Sequence, residues 1–484
     1  MTLFHLRRTK IVATIGPACA NKKTLLAMVE AGMDVARLNF SHADHETHEN
    51  SLRMVREINQ KYNTNIAILQ DLQGPKIRIG ELAEPYPVKP GQVIALRSDI
   101  SELTDGDLPV VYDTIAQDVK PGDPVLFDDG KVEAKVIETN NKNRVKLEIV
   151  VGDEIKKRKG VNLPHTNISE PTITEKDFRD IDFAIKHNVE WLALSFVRTA
   201  DDIKLLKELI RLKNGLSKII AKVEKPEALE NIDDIIRAAD AIMVARGDLG
   251  VEIPMEEVPA WQKRIIKKCN REGKPVIVAT QVMESMIENP RPTRAEANDV
   301  ANALVDGADA VMLSGETSVG KYPVRVVASM NSILRSVERE DDNIYYRHMD
   351  TIPEGAEPLS TSIIVTACKL SQETDAKALV GMTRSGYTAL QLSRCRPKAH
   401  IYAFTPSRQV QTTLNLVWGV RAFVYDRFIS TDDTIQDVHE ILKEHDLVQP
   451  GQVMINTGSM PLHEHGLTNM IKISRVRSKG DLRE

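Results

Sequence analysis

Long apolar runs are missing from this 484-residue chain. No stretch approaches the ~18 apolar residues of a membrane-spanning helix, and the start, MTLFHLRRTK, lacks the apolar core of a signal peptide. Cysteine is scarce. The four present (Cys19, Cys269, Cys368, Cys395) are scattered and form no CxxC pair, which fits a reducing compartment and argues against a zinc knuckle. There is no basic excess either: the net charge of −5 disfavours nucleic acid or an anionic membrane as the main partner. Aromatics are few, and Trp191, Trp261 and Trp418 stand apart as packing residues with no stacking platform around them. A soluble, cytoplasmic protein of two to four domains is expected.

What the chain does have is a repeating unit, clearest from Ile219 to Gly250. It reads as buried strand, amphipathic helix, buried strand, with short apolar runs that do not alternate, as strands covered on both faces should be. Strand candidates begin at Lys10, Val35, Ile66, Trp191, Lys218, Ala241, Pro275 and Ala310, and most are separated by one helix-length segment. Gly32 and Gly307 stand where helices should stop, and Thr174 with Asp177 offers a capping-box start. Eight strands alternating with helices imply a (β/α)8 TIM barrel. From Asp71 to Ser169 the helical period vanishes and Pro-Gly turns with short β runs replace it. This predicts a small β lid inserted after the third strand, over the carboxyl face of the barrel. A second α/β rhythm follows the helix Pro323–Glu340, predicting a three-layer C-terminal domain. The expected division is 1–74 and 170–342 for the barrel, 75–169 for the lid and 343–484 for the C-terminal α/β domain.

The carboxyl ends of the barrel strands are rich in groups that handle anions and metals. Strand two ends in Arg37, Asn39, Ser41 and His42, and strand three in Asp71. Strand five gives Lys222 and Glu224, strand six Arg246 and Asp248, strand seven Thr280 and Gln281, strand eight Ser314 and Glu316. Glu224 and Asp248 should sit at the same end of neighbouring strands, beside a lysine and an arginine. That set suits a phosphorylated carboxylic acid held on magnesium, for phosphoryl transfer or enolate formation. The bland alternative is an ion-pair cluster capping the sheet. Position on the barrel alone does not choose.

Longer motifs do. RRTKIVATIGPA at Arg7–Ala18, VARLNFSH at Val35–His42, DLQGPKIR at Asp71–Arg78 and KGVNLP at Lys159–Pro164 come first. AKVEKPEAL at Ala221–Leu229, MVARGDLGVEIP at Met243–Pro254, ATQVMESM at Ala279–Met286, PTRAEANDVANAL at Pro292–Leu304 and MLSGET at Met312–Thr317 follow. In order and spacing the chain resembles the pyruvate kinase family over nearly its whole length. The resemblance implies transfer of the phosphoryl group of phosphoenolpyruvate to ADP, giving pyruvate and ATP, by a cytoplasmic homotetramer. Glu224 and Asp248 would hold Mg2+ (or Mn2+), while the backbone at Gly247, with Thr280, receives the substrate carboxylate. Lys222 would lie by the transferring group and Arg37 grip its oxygens. Ser314 and Glu316 match residues on the enolate-protonation path, and His42, Arg78 and Lys159 match nucleotide contacts.

Two departures carry expectations. Potassium-dependent members have Thr-Lys-Gly-Pro-Glu after the strand-three aspartate; here Leu72 replaces the threonine and Lys76 the glutamate. Lys76 can supply fixed positive charge, so K+ is not expected to be required, although Asn39, Ser41 and Asp71 leave a weak ion site open. In the C-terminal domain Thr383, Ser385, Gly386 and Thr388 form a phosphate cradle at a helix start, matching the family's effector loop. The companion loop, Thr457–Thr468, lacks the tryptophan and arginine used for fructose 1,6-bisphosphate, which favours a sugar monophosphate or AMP. His42, His45 and His48 read as a solvated helix start rather than a metal triad, and His463 and His465 as loop residues. The competing functions are a magnesium-dependent lyase or aldolase using the same enolate chemistry, and a non-catalytic metabolite-binding regulator.

Overall fold

The computed structural model describes residues 7–99, 101, 103, 106–164, 166–427, 430–460 and 467–477. Eight parallel strands close into a barrel: β1 (Lys10–Thr14), β2 (Val35–Asn39), β3 (Ala67–Asp71), β4 (Trp191–Leu194), β5 (Lys218–Val223), β6 (Ala241–Ala245), β7 (Val276–Ala279) and β8 (Ala310–Leu313). Every strand gives a side chain to one interior cluster, among them Val12, Val35, Leu69, Ala193, Ile220, Met243, Ile277 and Met312. Their chain neighbours, such as Ile11, Ala13, Ile68, Ile219 and Val244, pack outward against the helices. Both faces are buried, which is why the strands read as unbroken apolar runs. Helix boundaries follow local chemistry. Gly32 (φ 124°) and Gly307 (φ 108°) end helices Lys22–Ala31 and Arg294–Asp306, and Thr174 with Asp177 forms the capping box of Glu175–Lys186.

Between β3 and β4 the chain builds a seven-stranded sheet whose edge strands are Arg78–Ile79 and Val161–Asn162. An antiparallel bridge joins Arg78 to Gly160, and Val161 N–H donates to Ile77 O, so the two edges meet and the sheet curls into a small barrel. One feature departs from the sequence reading. Residues Ile115–Asp118 form a single helical turn, too short to leave a period in the sequence.

After helix Pro323–Glu340, five strands form the C-terminal sheet in the order β11-β10-β9-β12-β13: β9 (Ala378–Met382), β10 (His400–Thr405), β11 (Val420–Val424), β12 (Val453–Gly458) and β13 (Met470–Arg475). The first four are parallel and β13 is antiparallel to β12. This layer docks on the amino end of the barrel. Arg396, 4% exposed, reaches Asp309 at 3.0 Å, Asn270 Oδ1 at 2.9 Å and Gly307 O at 2.8 Å, with its guanidinium 4.7 Å above the Trp418 ring. Thr412 donates to Glu190, which also takes Arg56 and the amide of Ile68. Among the described residues no helix is long and apolar enough to cross a membrane.

Candidate active site

The pairing of β5 with β6 (Lys222↔Met243, Val223↔Val244) delivers Glu224 and the segment after β6 to one end of the barrel. Asp248 does not end a strand. The chain turns directly into a helix, Arg246–Glu252, and Asp248 lies in its first turn. Lys222, its side chain 12% exposed, sits at the centre of the cluster: Nζ is 2.8 Å from Glu224 Oε1, 3.2 Å from Asp71 Oδ1 and 2.7 Å from Ser195 Oγ. At 3.2 Å the contact with Asp71 Oδ1 is the longest of the three, an ion pair with no well-formed hydrogen bond to that oxygen. The other Asp71 oxygen takes Arg37 Nε at 2.8 Å and Nη2 at 2.7 Å, and Thr14 Oγ1 holds Arg37 Nη1.

The electrostatics are asymmetric. Burial works against the Lys222 ammonium, yet Asp71, Glu224 and Asp248 together raise its pKa above the ordinary lysine value. Burial also raises Asp71, but Lys222 and Arg37 prevail and hold its carboxyl below the usual range. Glu224 moves the other way: burial and the nearby Asp248 push it up against the pull of Lys222, even though its Oε2 accepts the Phe196 amide at 2.8 Å. A buried carboxylate that resists ionisation beside a second carboxylate is relieved by a divalent cation. The donor set fits such an ion: hard oxygens, with no imidazole or thiolate among the neighbours named. Among the described residues no group of three or more His, Cys, Asp or Glu could hold a metal. Glu224 and Asp248 are the carboxylates here that could hold such an ion, and two side-chain ligands would leave coordination positions for substrate and water, as magnesium sites do.

Three other expected residues take unanticipated positions. Arg246 turns away from the cluster and forms a two-pronged pair with Asp299 at 2.7 Å, also donating to the carbonyls of Thr280 and Gln281. Its function is to clamp the turn after β7. That turn needs a clamp, since Thr280 (φ 65°) and Gln281 (φ 51°) both sit in the left-handed region, which a β-branched residue strongly resists. Thr280 Oγ1 thereby accepts the Gly247 amide at 2.7 Å, and a Cβ on residue 247 would meet that oxygen at 3.2 Å. Glu316, buried, accepts the amides of Ser314 (2.7 Å) and Met283 (3.2 Å), and burial raises its pKa.

His42, Lys76, Arg78, Lys159 and Asp248 line one cleft of about 190 Å³ between the barrel rim and the inserted sheet. Lys159 pairs with Asp128 at 2.9 Å, and Arg78 donates to the Arg158 carbonyl. Burial, then Arg78, Lys76 and Arg37, lower the His42 pKa and favour the neutral imidazole. Lys76 is exposed and Leu72 is buried in the core, while Asn39 caps Ser41 N–H at 3.2 Å. The three histidines diverge: His45 contacts Asp180, and His48 is buried, stacked on Phe40, and bonds the His42 carbonyl. His48 is thus not solvated, because its ring fills the space beside Phe40.

In the C-terminal layer Gly386 (φ 90°) starts helix Tyr387–Arg394 and its amide donates to Thr383 Oγ1 at 2.9 Å. Ser385 Oγ faces the Tyr387 amide at 3.4 Å, and Thr388 Oγ1 meets Thr468 Oγ1 at 2.9 Å, joining the two loops. His463 and His465 lie outside the described residues.

Two sequence-missed residues stand out. Ser195, at the end of β4, holds Lys222 and donates to Leu72 O at 2.7 Å. Phe196 (φ 55°) delivers its amide to Glu224. Both belong to the run Trp191–Phe196, whose apolar start marks a strand but whose last two residues carry no separate signal.

Comparison with known proteins bears on the whole assembly. Residues 6–327 match the family model for the pyruvate kinase barrel domain, and residues 361–474 match the pyruvate kinase alpha/beta domain. The pyruvate kinase of Corynebacterium glutamicum is 44% identical over 96% of this chain and 97% of its own length. That of Mycobacterium tuberculosis is 42% identical over 97% and 98%. The crystal structure of a pyruvate kinase from Cryptosporidium parvum superposes with a TM-score of 0.91 at 36% identity, covering 97% of this chain and 96% of that one.

Proposed function

The chain belongs to the pyruvate kinase family and is a phosphotransferase; on that premise we propose how its own residues move the phosphoryl group of phosphoenolpyruvate to ADP. Glu224 and Asp248 would hold the divalent ion, which when bound neutralises phosphate charge and supplies Lewis acidity at the substrate oxygens. Arg37, fixed by Thr14 and Asp71, grips the phosphoryl oxygens. Lys222, kept charged by three carboxylates, faces the group in transfer and then the enolate left behind. Such transfer depends on positioning and charge neutralisation more than on covalent chemistry, so a rigid, permanently charged ammonium is what it requires. The Gly247 amide, which here donates to Thr280 Oγ1, and the Thr280 hydroxyl, which donates to Ala279 O, would exchange those partners for the substrate carboxylate. Ser314 lies on the protonation path, and Glu316 acts on it indirectly by bonding its amide.

The lid and rim divide the nucleotide between them: His42 from the barrel, Arg78 and Lys159 from the insert. We assign 1–74 and 170–342 to catalysis, 75–169 to the lid and 343–484 to regulation. The Thr383–Thr388 cradle takes a phosphorylated effector, a sugar monophosphate or AMP, in a homotetramer that works without K+. Support for the last point is Leu72, whose buried apolar side chain offers no ligand, beside Lys76 in the cleft.

The observation that carries the reading is the contact of Lys222 with Glu224 and Asp71 at one mouth of the barrel. A coupled assay tests it: pyruvate must appear from phosphoenolpyruvate only when both ADP and magnesium are present. Pyruvate without ADP would favour an enolate lyase, and ligand binding without turnover a regulator.

A further inference from the structure

Lys225 and Glu252 meet in a buried pair to which the transfer chemistry assigns no part. Lys225 Nζ is 2.8 Å from Glu252 Oε1, with the side chains 5% and 2% exposed. Asn162 Nδ2, from the edge strand of the inserted sheet, donates to the same oxygen at 3.1 Å. Glu252 Oε2 is buried with no hydrogen-bond partner, and all three residues line the cleft that holds Asp248 and Lys159.

Stability alone is a poor explanation for this arrangement. Desolvating two ions offsets most of their attraction, and apolar residues of the same volume commonly serve a core as well or better. An orphaned carboxylate oxygen adds a further cost. What the pair does achieve is geometric. Lys225 directly follows Glu224, and Glu252 ends the short helix one turn after Asp248. The pair therefore ties together the two backbone segments that carry the proposed metal carboxylates. Asn162 adds the lid to the same knot, three residues beyond Lys159.

We propose that Glu252 is a positioning residue: it sets the spacing of Glu224 and Asp248 and makes that spacing respond to the approach of the lid. Its unpartnered oxygen gives a moving lid a second acceptor in the cleft, so closure changes the bonding of a group anchored one turn from Asp248. This rests on Glu224 and Asp248 being the metal carboxylates.

The test uses the full chain and Mn2+ alone as probe, its dissociation constant read by electron paramagnetic resonance without substrates, with KM for ADP and for phosphoenolpyruvate measured beside it. Groups bonded directly to metal ligands commonly change metal affinity by about 10–100-fold; Glu252 acts one step further out, through Lys225, so Glu252→Gln is expected to weaken Mn2+ binding several-fold, up to about tenfold. Asn162→Ala, which removes only the lid arm, is expected to shift Mn2+ binding less than Glu252→Gln does and to raise KM for ADP several-fold while KM for phosphoenolpyruvate stays put. Wild-type Mn2+ affinity in Glu252→Gln overturns the proposal, and so do equal shifts of both KM values in Asn162→Ala. Glu224→Gln separates the two levels. If it binds Mn2+ like wild type, the metal assignment itself is wrong and the proposal goes with it; if it loses Mn2+ while Glu252→Gln keeps it, only the positioning role fails. Should Glu252→Gln fold poorly, the KM split in Asn162→Ala decides.

Discussion

Lys10 and Lys222 are both strand lysines taken largely out of water, at opposite ends of one barrel, and their surroundings push them in opposite directions. At the amino end burial pulls the Lys10 ammonium down to about 8. Its neighbouring acids are engaged elsewhere: Asp34 takes Arg7 and the Ile11 amide, and Glu338 takes the amides of Arg8 and Thr9. Lys10 itself finds the Val420 carbonyl at 2.8 Å. At the carboxyl end Lys222 faces three carboxylates and is held charged. The amino end is a structural joint, with Arg396 bonded to Asp309, Asn270 and Gly307 across the interface, although Arg7 Nε and Thr9 Oγ1 are buried there without a hydrogen-bond partner. The carboxyl end is left unbalanced, with Glu224 raised and one oxygen of Asp71 without a hydrogen bond. Orphaned polar atoms occur at both ends, so charge is what separates them: around Lys222 the carboxylates Asp71, Glu224 and Asp248 exceed the cations, and a buried carboxylate pushed toward its neutral form is what a bound cation relieves.

The largest effect expected in this contrast is at the structural end. Arg396→Met leaves Asp309 buried without its cation and should cost about 3–5 kcal/mol of stability, read as a lower urea midpoint. Intact stability would show the joint to be dispensable. Lys222→Met should add a catalytic loss. Removing one fixed stabiliser of transferring charge costs about 10²–10³ in kcat, or ~2.7–4 kcal/mol of barrier, and the thermal midpoint should fall too, because Asp71 and Glu224 lose their buried cation. Turnover near the wild-type level would remove Lys222 from the chemistry.

A smaller effect concerns pH. The unfolded Lys10 keeps its proton to about 10.4, whereas the folded one releases it near 8. Between those values the unfolded state binds more protons, so this group makes stability rise with pH there, its full penalty applying below pH 8. Lys10→Met should flatten that part of the stability profile, measured by urea unfolding from pH 7 to 10.5. An unchanged profile would contradict the shift. The smallest effect is a null one. Replacing K+ with tetramethylammonium should leave the steady-state rate nearly unchanged, and a strict potassium requirement would return the charge at Lys76 to a minor place.

The barrel strands were legible because burial on both faces writes itself as unbroken apolar runs: all eight candidates match observed strands to within a residue at their starts. The rim was legible because charge immediately after such a run has few other places to go. What stayed hidden depends on long-range partners. Nothing near Arg246 announces that Asp299, on a helix 53 residues later, will take it, or that its task is to hold Thr280 in a strained turn. Ser195 was invisible for a simpler reason: a serine at a strand end has no meaning until a lysine 27 residues on is seen to lean on it. Spacing placed His48 with its neighbours on a wet helix start, but the ring of Phe40 drew it inside.

Anomalous diffraction from crystals soaked in Mn2+ tests the central assignment most directly. A peak bound by one carboxylate oxygen of Glu224 and one of Asp248, at the ~2.0–2.2 Å expected for a small hard divalent cation, is the predicted result. A peak held by other residues, with Glu224 still bonded to Lys222 and free of metal, would contradict it.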